Sequence, residues 1–317
     1  MKKLLCFLLV ISISLTSMAC SQNEKTSEPT KEKTTLTLGI LPDTQSVPIA
    51  LANYLGYFKD EGVNIKVEKF TSAPERDSAL QSGALDGAIS DLISVMLFCE
   101  GGFNVKTTSI TDGSQEFIVG ANSGITDANS IKGATIGLSE NTVMEYACDR
   151  FLTNLKLDPN TAITKTYIPQ ITVRMEMLEA GQLDGSVMPE PQVSVGKAGG
   201  AKVLISSNDL NMHTTGIAFS TDAIKDKKAE IEVFYRGYNR AVEYINTHEV
   251  AEYIDIIIKE TGFPESVTET ITLPTYVNAR LPFKEDIKAV NDWMLAKDLI
   301  AKAYEYNTVV DTGFCKE

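Results

Sequence analysis

The sequence predicts an α/β fold of two lobes, each built around a parallel sheet and joined by a two-stranded hinge. Three observations carry this prediction. An eight-residue turn occurs twice, as LQSGALDG ending at Gly87 and as LEAGQLDG ending at Gly185. Short β-rich runs alternate with helical periodicity before each copy. The length of 317 residues also fits about two domains.

The repeat extends backwards from the turn without gaps. Ninety-eight residues separate Asp86 from Asp184, and the same offset aligns Gly39 with Gly137. Each copy reads strand, helix, strand, helix, strand, which predicts parallel strands with right-handed crossovers. The predicted strands are LTLGIL, NIKVEKF and DGAIS in the first copy and ATIGLS, AITKTYI and DGSVM in the second.

The helices of the repeat are predicted from apolar spacing and from their ends. Val47, Leu51, Tyr54, Leu55 and Phe58 follow helical spacing in the first copy, and Val143, Ala147, Phe151 and Leu155 follow it in the second. Gly83 and Gly181 stand where the second helix of each copy ends. Asp86 and Asp184 are then predicted to be turn residues rather than a catalytic carboxylate pair, because they occupy equivalent corners of different lobes.

Two segments are predicted to cross between the lobes. EFIVGAN, from Glu116, reads as a strand that enters the second lobe, and TTGIAFS, up to Ser220, reads as the strand that returns. Lobe 1 is predicted to comprise residues 36–118 and 217–317, and lobe 2 residues 119–216. The chain after Thr221 is mostly helical in pattern. A cleft between the lobes is therefore the expected place for a ligand.

The first residues have the pattern of an exported protein. A basic start, an apolar run and a small-residue stretch predict a signal peptide over residues 1–19. The run from Leu4 to Leu15 is too short for a bilayer span, which needs about 20 residues. The residues LTSMAC resemble a bacterial lipobox, which predicts lipidation of Cys20, with simple secretion as the alternative. Residues 20–35 are polar and predict a lipid-anchored flexible linker.

Composition excludes several functions. The formal net charge of −13, without a basic face, excludes nucleic acid as a partner. We predict no metal site, because the chain has two histidines and no paired cysteine spacing. We predict no catalytic residue and no cofactor, because there is no P-loop and no G-x-S-x-G motif. The cysteines Cys99, Cys148 and Cys315 are expected to be buried thiols, with a Cys99–Cys315 bridge as the alternative.

The residues GYFKDEGV, the doubled G-x-LDG turn, IKGATIGLSENTVMEY and MPEPQ resemble the solute-binding proteins of ABC importers. The similarity runs from about Leu36 to Phe283 and is greatest to the nitrate/taurine/alkanesulfonate branch, which also contains binders of thiamine-pyrimidine precursors. The resemblance implies a type II-like periplasmic-binding fold. It also implies an extracytoplasmic, membrane-anchored and monomeric protein that captures a small solute for ABC permease and ATPase subunits.

Ligand contacts are expected in the loops at the carboxyl ends of the strands, where open parallel sheets bind ligands. These loops are also where the resemblance places the contacts. Ser46 is further expected to cap the following helix. The candidate ligand-binding residues are Gln45, Ser46, Ser90, Asp91, Ser114, Ser139, Asn141, Thr142, Glu190 and Thr214.

The charge of the ligand is predicted from two opposing signals. Helix N-termini, and a clamp formed by Arg76 and Arg174, would suit an anion such as a sulfonate. The alternative for these arginines is surface pairing with Glu75 and Glu176. The carboxylates of Asp43, Asp91, Glu140 and Glu190 in the same loops would repel a bare anion. We therefore expect a nitrogen-bearing or zwitterionic solute, with an exported enzyme or a sensor subunit on this fold as the alternative functions.

Overall fold

The computed structural model describes residues 35–316. The predicted signal peptide, Cys20 and all of the predicted linker except Thr35 lie outside the described residues. Thr35 already forms the first residue of a strand. Within the described part of the chain, no helix combines the length and the apolar character needed to cross a membrane.

Ten strands lie within the described residues. They are β1 (Thr35–Ile40), β2 (Asn64–Lys69), β3 (Gly87–Asp91), β4 (Val105–Ile110), β5 (Glu116–Val119), β6 (Thr135–Leu138), β7 (Thr164–Tyr167), β8 (Gly185–Met188), β9 (Lys202–Ser206) and β10 (Thr215–Ser220). The six repeat strands and both crossing strands predicted above are all present, with ends that differ by at most three residues. The strands β4 and β9 are not among these eight.

The α-helices of residues 35–316 are numbered in the same way. They are α1 (Val47–Tyr54), α2 (Tyr57–Asp60), α3 (Ala73–Gln81), α4 (Leu92–Glu100), α5 (Val143–Asn154), α6 (Ile171–Glu179), α7 (Gln192–Ala198), α8 (Thr221–Asp226), α9 (Lys228–Thr247), α10 (Ile254–Ile257), α11 (Lys284–Ala296) and α12 (Tyr306–Val309). A π-helical turn continues α10. The helix predicted through Phe58 is divided into α1 and α2, because Gly56 takes a left-handed conformation with φ of 77°.

The strands form two five-stranded sheets with equivalent orders, β2-β1-β3-β10-β4 and β7-β6-β8-β5-β9. We call each sheet, with the elements packed on it, a lobe. The three repeat strands of each lobe are parallel, and the two copies of the turn precede β3 and β8 in different sheets. The predicted α/β fold is confirmed. Each sheet is mixed, because β10 and β5 run antiparallel to both of their neighbours.

The glycine that ends each turn is required by this antiparallel neighbour. A Cβ atom at Gly87 would lie 2.6 Å from the carbonyl oxygen of Ala218 and 2.4 Å from the Phe219 ring. A Cβ atom at Gly185 would lie 2.8 Å from the carbonyl oxygen of Ile118. A side chain at these positions would therefore push the crossing strand off the sheet.

The aspartates of the turn have the structural role predicted for them. Asp86 Oδ2 accepts a hydrogen bond of 2.8 Å from the backbone N–H of Thr37, and Asp184 Oδ2 accepts one of 2.7 Å from Thr135. The backbone N–H groups of both aspartates donate in return to the carbonyls of the same threonines at 2.9 Å. Each aspartate thus ties the start of the third repeat strand to the first.

The C-terminal segment packs on the first lobe. Bridges join Arg280 to Ile110 and Val310 to Thr107, both on the edge strand β4. Buried Ile287, Val290 and Met294 on α11 belong to an apolar core that contains residues of α4 in the first lobe and also residues of α5 and β6 in the second. The segment after residue 280 is therefore attached to the edge strand of the first lobe by these bridges. Cys99, Cys148 and Cys315 are all free thiols, so the alternative of a bridge is wrong; only Cys148 is buried as expected, and the other two are half-buried.

Candidate functional site

A narrow cavity lies where the carboxyl ends of the two sets of parallel strands face each other. It contains about 440 Å³ of space free of protein atoms, of which only about 30 Å³ could hold the centre of a water molecule. It is lined by Leu41, Asp43, Gln45, Ala73, Arg76, Ile89, Ser90, Asp91, Gln115, Ser139, Thr142, Val143, Met144, Pro169, Ile171, Arg174 and Thr215. This is the edge of the sheet at which the sequence predicts ligand contacts.

The structure brings five of the ten predicted ligand-binding residues together in this cavity. They are Gln45, Ser90, Asp91, Ser139 and Thr142. Thr142 also caps α5, because its Oγ1 accepts a hydrogen bond of 3.3 Å from the backbone N–H of Met144. These side chains come from the ends of β1, β3 and β6, so both lobes contribute.

Three other predicted residues lie behind or beside the cavity wall. Ser46 does not cap α1 with its side chain; its Oγ donates a hydrogen bond of 2.7 Å to the carbonyl of Asp43. Thr214 is buried, and its carbonyl accepts a hydrogen bond of 2.9 Å from the N–H of Leu92. The N–H of Asn141 donates to the Glu145 carboxylate at 2.9 Å. These contacts hold the loops that carry the lining residues.

Ser114 and Glu190 line a different cavity, which also includes Lys197 and Asn208. Ser114 Oγ donates a hydrogen bond of 2.6 Å to the Glu116 carboxylate. Glu190 accepts hydrogen bonds of 2.9 and 3.0 Å from the N–H and the hydroxyl of Ser194. Burial raises the pKa of Glu190, although these hydrogen bonds oppose the shift.

Arg174 is fully buried and only half satisfied. Its Nη1 donates to the carbonyl oxygens of Ile168 at 2.7 Å and Pro169 at 3.1 Å. Its Nε and Nη2 atoms have no hydrogen-bond partner in the described structure. Burial lowers the pKa of Arg174 to about 10, because the charged form has lost its water. The alternative of surface pairing with Glu176 is therefore wrong.

Arg76, at the equivalent position of the first copy, is also buried but is paired. Its Nε and Nη2 donate to Asp77 Oδ1 at 2.8 and 2.6 Å. Nη2 also donates to the hydroxyl of Ser90 at 3.2 Å. Surface pairing with Glu75 is wrong here too, because Glu75 accepts hydrogen bonds from Thr71 instead. Both arginines thus line the cavity, and one of them has free donors.

Two carboxyl groups face the same space. Asp43 caps the short 3-10 helix Thr44–Ser46 by accepting a hydrogen bond of 3.1 Å from the N–H of Gln45. Burial raises its pKa to about 7, against the opposing charge of Arg76. Asp91 caps α4 through the N–H of Ser94 at 2.8 Å, and burial raises its pKa as well. Its Oδ2 also accepts a hydrogen bond of 3.4 Å from Val143 of the second lobe.

The other two carboxylates that the sequence analysis expected near the ligand do not reach the cavity. Glu140 is exposed, and Glu190 lies in the separate cavity described above. The ionisable groups of the cavity are therefore two arginines and two aspartates. Such a balanced set suits a molecule that carries an anionic end and a donor or cationic end.

The cavity also gathers buried polar atoms that have no partner among the described residues. Besides the two nitrogens of Arg174, they are Gln115 Oε1 and Ser139 Oγ. Buried polar groups in proteins are nearly always hydrogen-bonded, so a cluster of four such atoms makes this cavity the candidate ligand site. These four atoms offer two charged hydrogen-bond donors, one acceptor and one hydroxyl that can donate or accept.

Several lining residues were not among the predicted contacts. Gln115 lies in the loop after β4, and Thr215 begins β10. Leu41, Pro169 and Ile171 form part of the apolar wall. The repeat itself holds a signal for two of them: the offset of 98 places Leu41 opposite Ser139 and Ile171 opposite Ala73, which also lines the cavity. Extending the predicted contact Ser139 to its equivalent in the other copy would have found Leu41, whereas Ile171 has as its equivalent Ala73, which was not a predicted contact.

The chain is similar to known proteins over most of its length. The sequence profile of the NMT1-like family matches residues 29–258. A protein of Brachyspira hyodysenteriae, described as a candidate ABC transporter periplasmic binding protein, is 24% identical over 257 residues, which cover 74% of this chain and 73% of that protein.

Solved structures show the same fold. The zinc-bound ligand-binding component of an ABC-type import system from Staphylococcus aureus has a TM-score of 0.76 and 15% identity, covering 89% of this chain and 98% of that one. The MOPS-bound alkanesulfonate-binding protein SsuA of Xanthomonas axonopodis pv. citri has a TM-score of 0.75 and 19% identity, covering 88% and 98%. Among residues 35–316 of this chain, no cluster of three or more metal-ligand side chains occurs.

Proposed function

Because the chain belongs to the NMT1-like family, we propose that it is the extracytoplasmic substrate-binding protein of an ABC transporter. It captures a small organic solute in the cavity between the lobes and delivers it to a membrane permease. The similarity to a candidate periplasmic binding protein and to solved importer components supports this proposal. Lipidation of Cys20 would keep the protein at the outer face of the cell membrane.

The solute is zwitterionic or nitrogen-bearing, with an acidic group at one end. The observation that carries this is the pair of unpartnered nitrogens on buried Arg174. A carboxylate or sulfonate group can accept from both in the bidentate geometry that a guanidinium favours. Each hydrogen bond to a charged group contributes about 1.5–3 kcal/mol, so this contact would provide much of the affinity.

The opposite end of the solute faces Asp43 and Asp91. Their carboxyl groups are buried, and a bare anion placed between them and Arg174 would meet repulsion as well as attraction. An amino or ring N–H group would instead donate to these carboxyls and offset the cost of burying them. This is why a solute with both an acid and a nitrogen group fits better than a simple alkanesulfonate.

The test is a thermal-shift screen of the mature protein with matched ligands. The panel contains taurine, ethanesulfonate, nitrate, aminopyrimidines and flavins. Taurine and ethanesulfonate differ only in the amino group, so their comparison isolates the contribution of that group. A ligand at 100 times its Kd should stabilise the protein by about 2.7 kcal/mol. No shift with any member of the panel would contradict the proposal.

The variant Asp91→Asn then tests which group recognises the nitrogen. Asparagine still caps a helix, so α4 should be retained. We expect the variant to bind an aminated ligand more weakly, by about tenfold for one charged hydrogen bond, and to bind ethanesulfonate as well as the wild type does. Isothermal titration gives both affinities. An equal loss of affinity for both ligands would show that Asp91 shapes the cavity and does not bind the nitrogen group.

A further inference from the structure

Helix α11 is fixed to the first lobe. Tyr304, just after it, donates a hydrogen bond of 2.7 Å from its hydroxyl to Glu100 at the end of α4. The side chain of Asn291 on α11 accepts from the N–H of Tyr304 at 2.7 Å and donates to its carbonyl at 3.0 Å. Together with the bridge from Arg280 to Ile110, these contacts anchor both ends of the segment on one lobe.

The last turn of α11 nevertheless contacts α5 of the second lobe. Trp293 donates from Nε1 to Asp149 Oδ2 at 2.9 Å, and its ring meets that of Tyr146 edge to face at 5.4 Å between centroids. Lys297 donates from Nζ to Glu145 Oε1 at 2.7 Å and lies 3.7 Å from Asp149 Oδ2. We call these five residues the latch.

The latch completes a balanced set of buried charges. Glu145 and Asp149 are buried, and Lys165 of the same lobe reaches them at 3.1 and 2.6 Å. One lysine cannot neutralise two carboxylates, so Lys297 supplies the second positive charge from the other lobe. Burial acts to raise the pKa of Glu145, but the hydrogen bond from Lys297 and the other contacts hold this pKa below its usual value. Separation of the lobes would leave two buried carboxylates with Lys165 as their shared cation.

The latch acts on the helix that begins at the cavity. Thr142, the N-cap of α5, lines the cavity, and Val143 donates to Asp91 across it. Glu145 and Asp149 lie in the first two turns of the same helix. A contact that holds this part of α5 therefore also holds the second wall of the cavity against the first.

We propose that the latch is a closing contact between the lobes that works without a bound solute. The last turn of α11 pulls α5 towards the first lobe from outside the cavity, and so sets the fraction of protein that is closed before binding. This inference goes beyond the proposed function and does not depend on the identity of the solute.

The experiment uses the position of Trp293, which is the only tryptophan in the chain. Its fluorescence and its quenching by acrylamide therefore report on the latch directly. In the ligand-free protein, Lys297→Met should shift the ratio of open to closed forms about fivefold towards open, as expected for one partly exposed ion pair. Trp293 should then be quenched more strongly, and the radius of gyration from solution X-ray scattering should increase.

Matched variants separate the latch from general effects on α11. Lys288→Met removes the same charge from α11, but Lys288 is exposed and pairs with the exposed Asp292 of the same helix. It should behave as the wild type does. Lys297→Arg keeps the positive charge and should restore most of the closed form. Trp293→Phe removes the hydrogen bond to Asp149 and should enlarge the radius of gyration without relying on fluorescence.

Salt provides an independent arm of the experiment. Raising the sodium chloride concentration should increase quenching of Trp293 in the wild type and change it little in Lys297→Met, because only the wild type has this ion pair to screen. Far-UV circular dichroism checks that each variant is folded. Equal quenching and equal radii of gyration in folded wild type and Lys297→Met, at low and high salt, would overturn the proposal.

Discussion

The two equivalent arginines of the repeat allow a paired test in which the expected effects differ. The changes are Arg174→Met and Arg76→Met, which keep a long side chain and remove the charge. Both positions are buried and both line the cavity, so differences in exposure do not confound the comparison. What differs is the set of hydrogen bonds that each guanidinium makes.

For Arg174, the free energy cost of burying the charge and the gain from its hydrogen bonds nearly cancel. Burial lowers its pKa to about 10, and at about 1.4 kcal/mol for each pKa unit this corresponds to a desolvation cost on the order of 3 kcal/mol. Its two hydrogen bonds to carbonyl oxygens offset about as much. We therefore expect Arg174→Met to change the free energy of unfolding of the ligand-free protein by less than about 1 kcal/mol, or to raise it.

For Arg76 the balance is different. Its loss leaves Asp77 and Ser90 without their partner and removes the nearest positive charge from Asp43 and Asp91. Breaking a buried ion pair on one side costs about 3–5 kcal/mol, and because the side chain of Asp77 is partly exposed we expect about 2 kcal/mol or more. The variant Arg76→Met should therefore be clearly less stable.

The assay is urea unfolding followed by circular dichroism, for both variants and the wild type, without ligand and with the best compound of the thermal-shift screen. Arg174→Met should lose the stabilisation by ligand while keeping the stability of the free protein. If Arg174→Met lost as much stability as Arg76→Met without ligand, its unpartnered nitrogens would not mark a ligand site, and the reasoning would be refuted.

Two further predictions concern the site and the repeat. Because the pKa of Asp43 is raised to about 7, the folded protein holds this proton more tightly than the unfolded chain, and the stabilisation is lost as the pH rises from about 4 to 7. The free energy of unfolding of Asp43→Asn, measured by urea titration, should thus equal that of the wild type near pH 4 and exceed it by about 2–4 kcal/mol near pH 8. Parallel plots of this free energy against pH for the two proteins would contradict the prediction. Gly185→Ala should lower the free energy of unfolding by about 1–3 kcal/mol, because its Cβ would meet the carbonyl of Ile118. Gly101→Ala is the control and should have little effect, because the nearest contact of its Cβ is at 3.4 Å. Equal shifts of the thermal midpoint in the two variants would count against the packing argument.

The architecture could be predicted because the repeat marks it twice. Gly87 and Gly185 look like ordinary turn residues in either copy alone. Their recurrence at one offset, with Asp86 and Asp184 before them, identifies two equivalent sheets. The antiparallel pairing of β5 and β10 was not predicted, because a crossing strand has the same apolar pattern in either direction.

The burial of Arg76 and Arg174 could not be predicted from residue type, since arginine near a helix start is usually exposed. Both side chains lie beside glycines on another strand. A Cβ atom at Gly39 would lie 3.2 Å from Arg76 Cγ, and one at Gly137 would lie 3.6 Å from Arg174 Cδ. Only the fold shows that the paired glycines and paired arginines are neighbours.

Five predicted contacts lie outside the cavity for a related reason. A loop after a strand sends its side chains to both sides, so Ser46 and Asn141 face away from the space that Gln45 and Thr142 line. Sequence position identifies the loop but not the side to which each residue points. The structure therefore decides which members of each loop remain candidates for binding.

The unequal walls of the cavity have a consequence for how a solute is oriented. The two copies of the repeat align at an offset of 98 residues, yet Asp43 corresponds to Asn141 and Ser90 to Met188. A chamber with identical halves would accept an elongated molecule in either direction. Here we expect a single polarity, so that every captured molecule would be presented to its receiver with the same end leading.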